Sequence, residues 1–236
     1  MISFSNIKGF VFDLDGVITD TARFHTQAWR QVARKVGVTW TPELAEKLKG
    51  ISRMASLDLI LQAGGKQNDY TEAQKEALAA EKNANYLKLV DTLTPADILP
   101  GMAPFLISVH RQGYRMAIAS ASKNAPRVLH NLGISAYFPN IVDPSTLSKG
   151  KPDPEIFLKG AAEIGLRPEA CIGVEDAAAG VQAIKAAGET AVGIGDAHIL
   201  HEADMVFPST KQLTLNNIML RMGGRLSFKL RPRTAE

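Results

Sequence analysis

The sequence predicts an α/β fold whose parallel sheet is interrupted, after the first strand, by an all-helical insertion. Three observations carry this. A short apolar run over residues 7–12, without charge after Lys8, stops on Asp13 and Asp15; uninterrupted apolar character of this kind marks a strand buried on both faces. From residue 103 to residue 194, strand-like and helix-like segments alternate, the pattern of right-handed crossovers onto a parallel sheet. Between residues 21 and 93 only helical periodicity is found.

The opening strand delivers two acids to its own end, and Gly16 then lets the chain turn. Open α/β sheets bind ligands at that edge. With extended backbone persisting through Asp15, period two puts both carboxylates on one side, close enough that repulsion opposes double ionisation and a divalent cation would relieve it. The pair reads either as a surface turn or as acid chemistry, one Asp attacking and the other shuttling protons. An EF-hand loop is excluded, because Gly16 stands fourth from Asp13 instead of sixth and Phe24 occupies the twelfth position, where a bidentate Glu belongs.

Phe24, Ala28, Trp29, Val32, Ala33 and Val36 have the spacing of an amphipathic helix closed by Gly37. Segments 42–49, 54–63 and 73–90 are further helices, separated by Gly50-Ile51-Ser52 and Gly64-Gly65. The turn-rich stretch 94–101 marks the return to alternation: helix 103–112, strand 115–119, helix 125–132, strand 137–142, helix 155–164, strand 171–174, helix 178–187 and strand 190–194. The expected organisation is a core of residues 1–20 and 94–220, a helical cap over 21–93 and a solvated, disordered basic tail over 221–236.

A chain of 236 residues with 45% hydrophobic content can form one large α/β domain carrying an insertion. The single cysteine, Cys171, lies in an apolar run; it admits no internal disulfide and reads as a buried, inert thiol. No targeting segment or spanning stretch is found, so a cytoplasmic setting is expected. The formal net charge of +3 includes Arg221, Arg225, Lys229, Arg231 and Arg233 against Glu236, which leaves the rest of the chain near neutral. Without a basic, aromatic-interleaved patch on the body, no nucleic-acid or membrane partner is expected. The expected species is a monomer acting on small molecules.

Two later strands also end on polar groups: residues 116–119 run into Ser120-Ala121-Ser122-Lys123-Asn124, and residues 172–174 into Glu175-Asp176. In a parallel sheet these converge with Asp13 and Asp15. Glu175 and Asp176 could cap the following helix, but four converging carboxylates suit Mg²⁺. Ser120 reads as an anion-holding hydroxyl or an N-cap. Lys151, in Lys151-Pro152-Asp153-Pro154, is either an ammonium that a loop stiffened by two prolines fixes near phosphate or the nucleophile, or a solvated loop lysine. Gly193-Ile194-Gly195 is too short for a dinucleotide fingerprint.

With FDLDGVITDT, Ser120, Lys151 and GVEDA in this order, the chain resembles the haloacid dehalogenase superfamily from about residue 7 to residue 220. That resemblance implies a Rossmann-like parallel-sheet core with an inserted α-helical cap. It makes Asp13 the nucleophile and Asp15 the general acid and base, with metal on Asp13, the Asp15 carbonyl, Glu175 and Asp176. The strings TDTARFHTQAW, LKGISR, KNANY, SASKNAP and KPDPEIF are further similar to the β-phosphoglucomutase family. This implies interconversion of β-glucose 1-phosphate and glucose 6-phosphate, with Mg²⁺ and with β-glucose 1,6-bisphosphate as primer and intermediate. It further implies that Arg53, Ser122, Lys123 and Asn124 grip the phosphate not being transferred, beside Ser120 and Ala121. Lys49, Gly50, Ile51, Ser52, Trp29 and Lys82 would line the sugar pocket, while Thr21 and His25 govern Asp15. Trp29 as a core aromatic and Lys82 as a solvated lysine are the plainer alternatives. A capped phosphatase and a non-catalytic phosphate-binding protein are the alternative functions.

Overall fold

The computed structural model describes residues 3–223. Strand β1 (Gly9–Phe12) is followed by four helices, α1 (Ala22–Lys35), α2 (Pro42–Lys47), α3 (Arg53–Ala63) and α4 (Glu72–Val90). Alternation then resumes with α5 (Met102–Arg111), β2 (Arg115–Ile118), α6 (Ala125–Asn131), β3 (Asn140–Ile141), α7 (Glu155–Glu163) and β4 (Cys171–Glu175). The last described elements are α8 (Ala178–Ala187), β5 (Thr190–Ile194), β6 (Met205–Phe207) and α9 (Leu215–Arg221). The strands form one parallel sheet in the order β3-β2-β1-β4-β5-β6. Phe12 is in register with Ile118 on one side and Val174 on the other, so β1 lies at the point where the crossovers change direction.

Side chains alternate across the sheet, and so do its two cores. Phe10, Phe12, Met116, Ile118, Ile172 and Val174 face α5 and α6, while Val11, Ala117, Cys171 and Ala191 face α7 and α8. Phe10 and Phe12 are fully buried and meet Phe105 edge-on; burying each ring contributes roughly 2 kcal/mol. Burial pushes the Cys171 thiol up to about 12, so it stays protonated.

The helical block has its own local starts and its own core. Thr41 caps α2 ahead of Pro42, Ser52 caps α3, and Thr71 with Gln74 forms a capping box on α4. Trp29, Val32, Leu57, Ile60, Leu61 and Leu78 pack together inside the block. Phe24, Ala28, Tyr86 and Val90, on other faces of α1 and α4, join the core against the sheet. The block is strapped down where the chain enters and leaves it: Thr19 Oγ1 donates to the Asp97 carbonyl at 2.8 Å, and the Leu99 amide donates to the Ile18 carbonyl at 2.9 Å.

Several expectations need correction. The strand expected over 137–142 is only Asn140–Ile141, because Pro139 has no N–H for the ladder and Ser135–Tyr137 forms a 3₁₀ turn. Strand β6 and helix α9 were not anticipated; three strand residues are too few to show a period. Arg221, the first residue of the expected tail, is exposed but ordered: it ends α9, donates to the Val206 carbonyl at 2.6 Å and lies 4.1 Å over the Phe207 ring. The remainder of that run, 224–236, lies outside the described residues. No helix among the described residues is long and apolar enough to cross a membrane.

Candidate active site

The sheet edge brings four charged groups together. Asp13 follows β1, its amide still on the Val174 carbonyl at 2.9 Å, and Glu175 ends β4. Lys151 reaches in from the loop before α7: its Nζ donates to Asp13 Oδ1 at 2.8 Å and to Glu175 Oε1 at 2.5 Å. All three side chains are buried, so the solvated-lysine alternative for Lys151 does not hold. Glu175 Oε2 accepts from the Asp176 and Ala177 amides at 2.7 Å, and any side chain at Gly180 would overlap its carboxylate. Gly16, at φ 78°, turns the chain under Asp176, where a Cβ would strike that carboxylate.

Oxygens of Asp13, Glu175 and Asp176 lie within 4.8 Å of one another, with one ammonium among them. Burial pushes Asp13 up to about 7, aided by Glu175 and Asp15 and opposed by Lys151. Burial also raises Asp176 well above the usual carboxylate range, with Glu175 and Asp13 adding repulsion. Burial alone would lower Lys151, but Asp13 and Glu175 outweigh it and hold the ammonium protonated. Clustered hard oxygen donors with surplus negative charge fit a divalent cation such as Mg²⁺.

Asp15 does not continue the strand. It sits in an isolated bridge with Thr19, so the backbone has turned by the second acid and period two no longer applies. Its carboxylate faces the cap, accepting from Thr21 Oγ1 and lying 3.5 Å from His25 Nε2. Lys82 Nζ is 2.6 Å from His25 Nδ1; with Lys82 protonated, Nδ1 accepts and the ring proton sits on Nε2, towards Asp15. Burial would raise Asp15, yet His25, Thr21 and Lys82 outweigh it and hold it below its ordinary value. Burial, with help from Arg53, lowers Lys82 to about 7 against the pull of Asp15. Lys82 is 2% exposed, so it is not a solvated helix lysine.

A cavity of about 380 Å³ separates these two sets of groups. Asp13, Asp15, His25, Trp29, Lys49, Gly50, Ile51, Ser52, Arg53, Lys82, Ala121, Ser122, Lys123 and Asp176 line it. Thr21, Ser120, Asn124, Lys151 and Glu175 do not line it. Ser120 Oγ accepts from the Ser122 amide at 3.1 Å, and the residue capping α6 is Asn124, so Ser120 is not an N-cap. Trp29 belongs to the core of the helical block and to the cavity wall.

Sequence reasoning passed over Asn83 and Tyr86, although the string KNANY contains both. Asn83 Oδ1 accepts from Arg53 Nη2 and from Asn124 Nδ2, each at 2.8 Å. The fully buried Tyr86 ring lies 4.1 Å from the His25 ring, and its hydroxyl has no hydrogen-bond partner among the described residues. Lys82 and Tyr86, four apart on α4, share a helix face; that spacing was the available signal.

The family model for haloacid dehalogenase-like hydrolases matches residues 7–188. The chain belongs to the haloacid dehalogenase family. Within it, the chain is 46% identical over 209 residues to the β-phosphoglucomutase of Bacillus subtilis, covering 89% of this chain and 92% of that protein. A solved structure, the β-phosphoglucomutase of Clostridium difficile, superposes with a TM-score of 0.90 at 46% identity, covering 92% of this chain and 97% of that one. A fructose-1-phosphate phosphatase of Escherichia coli is 31% identical, covering 81% of this chain and 98% of the phosphatase.

Proposed function

We propose that the chain is a phosphotransferase interconverting β-glucose 1-phosphate and glucose 6-phosphate through a phosphorylated Asp13 and β-glucose 1,6-bisphosphate. The similarity to two β-phosphoglucomutases over about nine-tenths of the chain supports this reading. The observation that carries it is the division of labour between two carboxylates two positions apart. Asp13 is tied to Lys151 in the core, and Asp15 is tied to Thr21 and His25 at the cap.

With Oδ1 of Asp13 engaged by Lys151, Oδ2 is the oxygen left to attack phosphorus. In the forward half-reaction the primed enzyme carries the phosphoryl group on Asp13. Asp15, held ionised, accepts the proton of the sugar 6-hydroxyl as that oxygen takes the phosphoryl group and the Asp13–phosphorus bond breaks. The bisphosphate then turns end for end. Asp13 attacks the other phosphate, the bonding pair leaves on the sugar 1-oxygen, and Asp15 returns its proton there. His25, steered by Lys82, holds Asp15 in place for both transfers. Arg53, in the cap, offers a planar fork to whichever phosphate is remote from Asp13. Asp13, Glu175, Asp176 and the Asp15 carbonyl would hold Mg²⁺, which when bound supplies positive charge to the phosphoryl oxygens.

The E. coli relative keeps a phosphatase as the second reading. The test is a simultaneous assay of glucose 6-phosphate and inorganic phosphate from β-glucose 1-phosphate, with Mg²⁺ and a catalytic amount of the bisphosphate. Glucose 6-phosphate should greatly exceed free phosphate. Phosphate as the main product would favour hydrolysis, and neither product from any sugar phosphate would favour a binding protein.

A further inference from the structure

Arg53 is a half-buried cation with an unusual partner. It is the first residue of α3, facing the cavity, and no carboxylate among the described residues pairs with it. Its hydrogen bond goes to the neutral side chain of Asn83 on α4, Nη2 to Oδ1 at 2.8 Å. The same oxygen accepts from Nδ2 of Asn124, in the core loop that leads into α6, also at 2.8 Å. Chemistry fixes the amide orientations. A guanidinium can only donate, so the Asn83 atom facing it is oxygen, and the Asn124 atom facing that oxygen is nitrogen.

Asn83 therefore bridges two groups on opposite sides of the seam between helical block and core. Further along α4 the block is tied to α6 again: Arg127 Nε and Nη2 each donate to Asp91 at 2.7 Å, and Asn131 donates to the Val90 carbonyl at 2.9 Å. The Asn83 contact lies about 10 Å along α4 from Val90, at 1.5 Å of helix per residue. A carboxylate at position 83 would make both hydrogen bonds just as well. It would also neutralise Arg53 and compete with any incoming anion.

We propose that Asn83 is a positioning residue whose neutral oxygen holds Arg53 and Asn124 together while leaving the Arg53 charge available to the substrate phosphate remote from Asp13. This rests on the phosphotransferase reading above. A neutral acceptor fixes the fork without satisfying its charge, so a dianionic phosphate displaces little when it arrives and closes the seam by drawing on donors from both sides.

The test compares Asn83→Ala and Asn83→Asp with the parent enzyme, measuring kcat and KM for β-glucose 1-phosphate and thermal melting. Asn83→Ala should raise KM about tenfold, the effect of one hydrogen bond to a charged group, with a smaller change in kcat. Asn83→Asp keeps both hydrogen bonds and the side-chain shape, and should melt near the parent temperature. Its KM should nevertheless rise at least as much as that of the Ala variant. Restoration of parental KM by Asp would show a merely structural bridge and overturn the proposal. So would a parental KM in the Ala variant, or a fall confined to kcat. A parent enzyme that hydrolyses sugar phosphates without isomerising them would refute the mutase reading alone; the same comparison of KM for β-glucose 1,6-bisphosphate, which keeps one phosphate remote from Asp13, would still decide the role of Asn83.

Discussion

On the core side of the cleft a buried lysine is matched to carboxylates, Lys151 bonding Asp13 and Glu175, whereas on the cap side Lys82 and Arg53 bond a neutral imidazole and a neutral amide. The core side carries surplus negative charge and the cap side surplus positive charge. Burial pushes Asp13 up to about 7, against Lys151 and with help from Glu175 and Asp15, and pushes Lys82 down to about 7 with help from Arg53. Such opposed walls suit a ligand with a phosphate at each end: a cation on the core wall and the phosphates themselves supply what each side lacks. The acid pair splits along the same line, Asp13 belonging to one wall and Asp15 to the other.

Breaking the core wall should have the largest effect. Asp13→Asn keeps the shape but removes the attacking carboxylate oxygen, and turnover should fall by ~10⁴-fold or more in a steady-state assay. Asp15→Asn breaks the proton path on the cap side and should cost ~10²- to 10⁴-fold, the usual range for acid–base catalysis. Near-parental rates with parental pH dependence would contradict its role. Arg53→Ala should lower the mutase rate about ten- to a hundredfold while changing hydrolysis of the phosphorylated enzyme much less, because only the former uses the remote phosphate.

The smallest effect sharpens the contrast from outside the cleft. Glu189 precedes β5 at the opposite edge of the sheet, buried, with neither oxygen hydrogen-bonded among the described residues. Burial holds its pKa well above the ordinary 4.5. The folded chain therefore keeps this proton while the unfolded chain loses it, and stability falls as pH rises above the unfolded value, by up to about 1.4 kcal/mol per pH unit. Glu189→Gln has no proton to lose, so its melting temperature should gain on the parent progressively between about pH 5 and pH 8. A constant difference would contradict this.

The sheet was legible because its signals are local: the apolar run into Asp13, and helices of ordinary length closed by glycines. The helical block was legible for the same reason. The reach of Lys151 was legible only as one of two alternatives, since a lysine between Gly150 and Pro152 looks solvated until the loop is folded over Asp13. Asn83 was invisible because a polar residue on a helix reads as surface, and its partners lie 30 and 41 positions away. The direction of Asp15 failed for a backbone reason: the chain leaves the extended state after Asp13, so alternation stops counting one residue too early.

The central claim is that attack belongs to the core wall and proton transfer to the cap wall. It is tested most directly by trapping the phosphorylated enzyme after mixing with β-glucose 1,6-bisphosphate and locating the phosphoryl group by fragmentation of the peptide holding both acids. The account predicts phosphate on Asp13 alone, in the parent and in Asp15→Asn, and none in Asp13→Asn. Phosphate on Asp15, or a phosphorylated peptide that survives Asp13→Asn, would contradict it.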